Sequence, residues 1–114
     1  MTAQKPDRER TSSCGFLTSW RLGADQVGEG DNVSLLDDRS VQVEGEFWGA
    51  SVIIEGSNDG EYYQPLTTLD ALQAECKEPA LMGIREYTRH LRPRVQGGDK
   101  HTKVTVSLMG RVTR

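Results

Sequence analysis

Apolar and polar residues alternate with a period of two in several short runs along the chain, and the runs are separated by turn-forming residues. Phe16, Thr18 and Trp20 alternate with Leu17 and Ser19, a pattern rich in aromatic and β-branched residues that suits a strand. The stretch from Gly23 to Asn32 holds Gly23, Gly28, Gly30, Asp25, Asp31 and Asn32 and reads as a loop. Val33 to Leu36 reads as a short apolar strand, with Asp37-Asp38 as the turn after it. Val41 and Val43 alternate with Gln42 and Glu44, which predicts a strand with one buried face. Gly45 to Gly49 places Phe47 and Trp48 between two glycines, and Ala50 to Glu55 is the strongest strand signal. Ser57-Asn58-Asp59-Gly60 is a turn, because Asn and Asp tolerate left-handed geometry and Gly reaches it without steric cost.

The second half is read in the same way. Tyr62, Tyr63 and Leu66 begin a return strand. Leu69, Leu72 and Cys76 lie at helical spacing but follow Thr67-Thr68, so 66–77 is expected to be a loop with one helical turn at most. Ile84 to Val95 reads as one long extended segment, with Pro93 at an edge or a bulge. Gln96 to Lys100 is a hairpin turn, and Val104, Val106 and Leu108 alternate with Thr105 and Ser107 in a last strand that reaches about Val112. Seven or eight short strands with almost no helix predict an all-β fold, an antiparallel β-sandwich. Strand count alone leaves a jelly-roll-like and an immunoglobulin-like topology both open. The immunoglobulin Cys-Trp-Cys order is not present.

Length and composition narrow this further. The 114 residues suffice for one domain, expected over 14–114. Residues 1–13 are polar with no apolar run, and are expected to form a flexible N-terminal arm that orders against a partner. No run approaches the roughly 20 apolar residues of a membrane helix. No apolar stretch follows the initial methionine, so Sec-type export is not expected. Cys14 and Cys76 are far apart and lack a CxxC neighbour, which predicts two reduced thiols.

Charge is uneven along the chain. Between Gly23 and Glu61 ten acidic residues face a single base, Arg39. Between Arg85 and Arg114 eight basic residues face Glu86 and Asp99. The two segments can pair within the fold, remain solvated, or meet neighbours in an assembly. A net charge of −3 argues against general nucleic-acid affinity.

Signs of catalysis are few. His90 and His101 belong to no HExxH pattern, no GxSxG or GxxxxGK[ST] is present, and so small a domain rarely encloses a deep cleft. The chain is therefore expected not to be an enzyme and to carry no cofactor. Asp25, Glu29, Asp31, Asp37 and Asp38 are oxygen ligands on or near loops, but they lack EF-hand spacing, and no metal is expected.

Two stretches carry more specific information. One runs from Gly45 through Phe47, Trp48 and Val52-Ile53-Ile54-Glu55 to Gly56-Ser57-Asn58-Asp59-Gly60, followed by Tyr63 and Leu66. The other runs from His90-Leu91-Arg92-Pro93-Arg94 through Gly97-Gly98-Asp99 to Val104-Thr105-Val106-Ser107-Leu108. In this order they resemble small structural proteins of tailed bacteriophage particles, of the capsid cement or decoration type with a β-sandwich fold. The similarity covers about 40–111. It implies a protein made in the host cytoplasm and carried on the virion capsid surface. The major capsid protein would be its partner, and it would act as a homo-oligomer, dimer or trimer, without nucleic acid or membrane. It implies binding rather than turnover and brings no catalytic residues.

Under that reading Phe47, Trp48, Arg85, Arg89, Arg92 and Arg94 are the candidate interface. The two aromatics concentrate contact energy and the arginines meet acidic capsid surface. The alternative for the aromatics is ordinary core, and for the arginines a solvated strand face. The Gly-Ser-Asn-Asp-Gly turn followed by an aromatic also resembles discoidin-type jelly rolls. Those imply a carbohydrate- or surface-binding module, with Trp20, Trp48, Tyr62 and Tyr63 as a stacking platform. A neck or tail-completion role is the third alternative.

Overall fold

A computed structural model describes residues 3–112. The chain is all-β, and no helix occurs among the described residues. Two antiparallel sheets pack face to face. The first has the order β1 (Asp7–Arg10), β2 (Gly15–Leu22), β10 (Lys103–Arg111), β4 (Asp37–Glu46), β8 (Ala80–Gly83). The second has the order β3 (Asp31–Asn32), β9 (His90–Gln96), β5 (Ser51–Ser57), β6 (Gln64–Pro65), with β7 (Glu75–Cys76) also paired to β5.

The pairing separates the two topologies left open by strand count. In an immunoglobulin sandwich, with strands ABED in one sheet and CFG in the other, the B–E and C–F pairs interleave along the chain. Here β5 pairs with β9, and that pair nests inside the pairing of β4 with β10. Nested pairing is what a hairpin gives when it folds over on itself, and it makes the domain jelly-roll-like.

The alternating residues deliver the core as expected. Trp20 and Leu22 from β2, Val41 and Val43 from β4, Val52 and Ile54 from β5, Leu91 and Val95 from β9, and Val104, Val106 and Leu108 from β10 are all buried between the sheets. Trp20 is fully buried and satisfies its indole N–H on the carbonyl of Glu29 at 2.9 Å. Gly28 is required beside it. A Cβ there would stand 2.6 Å from Trp20 Cδ1 and 2.8 Å from Pro93 Cδ.

Several local readings are corrected. The segment expected to be an arm contributes β1, an exposed edge strand that pairs with β2 from Asp7↔Ser19 to Arg10↔Phe16. Side-chain interactions hold it there: Arg8 bonds Asp31 at 3.2 Å, and both Arg8 and Arg10 lie over the Phe16 ring. Met1 and Thr2 lie outside the described residues.

Val33 to Leu36 is a turn rather than a strand, closed by Leu36 N–H on the Val33 carbonyl. Asn32 drives it by accepting from both the backbone N–H and the hydroxyl of Ser34. The expected turn, Asp37-Asp38, instead starts β4. Segment 66–77 is a loop that folds back on itself: Ala71 N–H closes a turn on the Thr68 carbonyl, Thr67 pairs with Gln73, and Ala74 N–H bonds the Leu66 carbonyl, while Leu66 N–H ties the loop to the Ile54 carbonyl of β5.

Ile84 to Val95 is not one strand, because residues 84–89 separate β8 from β9. Pro93 sits in β9, between β3 and β5. Its missing donor does no harm there. The N–H and C=O of a strand residue point to the same side. The Pro93 carbonyl accepts from Gly28, so its nitrogen faces the irregular 26–28 segment and not the β5 ladder.

Candidate functional site

Three surface features stand out; of the candidate residues, Trp48 belongs to the first and Arg92 and Arg94 to the second. The first is the turn joining β4 to β5. Phe47 faces inward and is only 8% exposed, and its carbonyl accepts from Thr102 Oγ1 and Ala50 N–H. It is therefore core and offers no surface anchor. Trp48 is its opposite, 57% exposed at a φ of 48°. A bulky residue in left-handed geometry is uncommon and costs about 1–2 kcal/mol. The twist throws the indole outward, between Gly45 and Gly49, which also have positive φ. The ring lies 5.4 Å from His101, and its N–H reaches Glu46 Oε2 at 3.3 Å.

The second feature lies on the outer face of the second sheet. Leu91, Pro93 and Val95 point into the core, so Arg92 and Arg94 point out. Glu55 is the residue across from Arg92 in the register. Its carboxylate is 6% exposed and accepts Arg92 Nε at 3.0 Å and Arg94 Nε at 2.9 Å. The Tyr63 ring stacks on the Arg92 guanidinium, 3.8 Å from centroid to Cζ. Burial pushes the Tyr63 phenol pKa up, against the pull of Arg92. Alternation along β9 places the two arginines on one face. Glu55 and Tyr63 escape sequence reading because they join the site only through the strand register and the turn after β5.

Arg85 and Arg89 are exposed and lie outside the strands, on 84–89. Arg39, the single base of the acidic segment, is instead buried. It donates to the carbonyls of Leu36, Val33 and Thr88, and the Tyr87 ring covers it at 4.8 Å.

The third feature is an apolar groove of about 480 Å³ beside β8, where Leu69, Leu72, Leu81, Met82 and Cys76 gather. Leu69, Leu72 and Leu81 are each about two-thirds exposed or more. The helical spacing of Leu69, Leu72 and Cys76 gives no sign that a separate strand, β8, supplies Leu81. Burial pushes the Cys76 thiol up to about 11.

The stacking platform expected for a sugar-binding module is not assembled. Trp20 is core, Tyr63 is occupied by Arg92, and Tyr62 and Trp48 remain exposed. The loop carboxylates considered as metal ligands mostly serve the protein. Asp25 accepts from Gly97 N–H, Asp31 from Thr18 and Arg8, and Asp38 pairs with Arg111. Among the described residues no group of three or more His, Cys, Asp or Glu is placed to hold a metal ion.

Together these features define a small jelly-roll-like domain whose distinctive side chains lie on its surface. Solved structures show the same fold. A protein derived from the SPBc2 prophage, YomS, is 13% identical with a TM-score of 0.64, over 90% of this chain and 99% of that one. A cupin domain from Bordetella pertussis is 12% identical with a TM-score of 0.51, over 99% of both chains. No family model matches the chain, and no curated protein sequence does.

Proposed function

We propose that this chain is a structural protein of a tailed-phage particle that binds the outer capsid lattice and stabilises it. The observation that carries the reading is the end-to-end fold likeness to a prophage-derived protein of nearly the same extent. The surface is consistent with a binding role. Trp48 is held outward at a conformational cost, with surface contacts to His101 and Glu46 but more than half of it exposed, and exposed tryptophan concentrates contact energy. The partner is the major capsid protein, and the mechanism is linkage: a protein that binds only the assembled lattice raises the temperature at which the lattice breaks.

The test is co-sedimentation with capsids from a phage lacking the protein, alongside capsid melting. Saturable binding at a fixed stoichiometry with raised capsid melting supports the reading, and Trp48→Gly should weaken binding at least tenfold. Binding to isolated necks or tails and not to capsids would assign the neck or tail-completion role instead. Binding to neither sinks the virion reading.

A further inference from the structure

The Glu55–Arg92–Arg94 cluster has more positive charge than its own packing uses. Glu55 lies on β5 and Arg92 and Arg94 on the neighbouring β9, at alternate positions of one face. One carboxylate takes the Nε edge of both guanidiniums, one oxygen each. A buried carboxylate is compensated by a single arginine, so the second leaves a local charge of +1. Arg94 Nη1 reaches Gln96 at 3.5 Å, too long for a strong bond. The arginine side chains are 28% and 36% exposed, against 6% for Glu55.

Asp59 also acts electrostatically on Tyr63, but its carboxylate is engaged by its own turn. It accepts from Glu61 N–H, Tyr62 N–H and the Ser57 hydroxyl. Those bonds hold its pKa down at about 2. The two guanidiniums are therefore held in place, by Glu55 on their Nε edges and for Arg92 by Tyr63 on its face. Much of the ordering cost of recognition has been met before any partner arrives.

We propose that Arg92 and Arg94, fixed by Glu55, form a receptor for a carboxylate presented by an acidic protein surface. Guanidinium edges match a planar carboxylate in geometry and charge. A nucleic-acid phosphate chain fits less well, because it needs a track of cations along successive phosphates and this site fixes two, Arg92 and Arg94. That the surface belongs to a capsid rests on the function proposed above. Carboxylate recognition does not.

The experiment is an NMR titration of the full chain, labelled with 15N at arginine, with a short oligoglutamate peptide and separately with a single-stranded DNA oligonucleotide. Saturable shifts of the Arg92 and Arg94 Nε–H resonances with oligoglutamate are expected. Arg94→Gln should weaken them at least fivefold. Glu55→Gln, checked for folding by circular dichroism, should bind oligoglutamate at least threefold more weakly, because the guanidiniums then lose the carboxylate that holds them in place. Charge alone would strengthen binding, since the substitution removes an anion, so a gain overturns the proposal. If Glu55→Gln does not fold, the Arg94→Gln comparison decides. Absence of shifts at Arg92 and Arg94, equal binding by Arg94→Gln, or stronger binding of DNA than of oligoglutamate overturns the proposal. Capsid co-sedimentation separates the two readings. A wild-type chain that binds oligoglutamate but no capsid refutes the capsid role alone, and one that binds capsids with no response at these arginines refutes this site alone.

Discussion

Replacing Arg39 with Met tests whether a buried cation holds two loops of this sandwich together. Arg39 is 5% exposed and bonds three backbone carbonyls: Leu36 through Nε at 2.9 Å, and Val33 and Thr88 through Nη2 at 2.7 Å each. The first two carbonyls belong to the turn between β3 and β4, and the third to the segment before β9. Met fills similar volume and donates nothing. The Val33 carbonyl keeps its bond from Leu36 N–H, so the substitution orphans the carbonyls of Leu36 and Thr88. An orphaned buried acceptor costs about 1–3 kcal/mol. Relief of the guanidinium's own desolvation, which already lowers its pKa, offsets part of the sum. The expected loss is about 3 kcal/mol, or roughly 12 °C in Tm for a domain of this size. Urea unfolding followed by tryptophan fluorescence, with an unchanged m-value, measures it. Arg39→Lys keeps the charge but not the planar fork, and should lose at least half as much. A loss below about 1 kcal/mol for Met, or a Lys variant as stable as wild type, would refute the reasoning.

Gly28→Ala forces a methyl group against Trp20 and Pro93, and should cost about 1–3 kcal/mol in the same assay; full stability would contradict the packing. Trp48→Gly removes left-handed strain and little buried surface, so stability should stay within about 1 kcal/mol of wild type. A larger loss would mean that the indole supports the fold. The Asp59 carboxyl, held down to about 2 from 3.8, makes the Ser57–Glu61 turn pH-sensitive. A depressed folded pKa gives stabilisation that is complete above the unfolded value. It is lost as pH falls from about 4 toward 2. Carboxyl NMR should place the Asp59 midpoint near 2, and a midpoint near 3.8 would remove the effect. With its pKa near 11, Cys76 is about one part in a thousand thiolate at pH 8. Iodoacetamide followed by peptide mapping should therefore modify exposed Cys14 well before Cys76. Equal rates would show that Cys76 is not shielded.

How far the site could be read from the sequence depended on the range of the interaction. Alternation placed Arg92 and Arg94 on one face of β9, since side-chain direction in a strand is a local property. Their shared acceptor, Glu55, lies 37 positions from Arg92 in the chain and joins it only through pairing of β5 with β9. Phe47 and Trp48 show the opposite difficulty. Both are aromatic and both lie between glycines, so composition could not tell the buried one from the exposed one. The backbone twist at Trp48 decided it.

By itself the sequence determined the class of fold, the turn at Ser57 to Gly60 and most of the buried residues. These follow from period-two alternation and from residues that favour particular backbone angles, and both act over a few neighbouring positions. The tertiary structure alone decided that Val33 to Leu36 turns, that Pro93 fits inside a sheet, that β1 docks on β2, and that the strand pairs nest. It also buried Arg39 and gathered Leu69, Leu72 and Leu81 into one groove. Each of these depends on which distant backbone or side chain supplies the missing hydrogen bond or covering surface, and only strand pairing across the chain sets that.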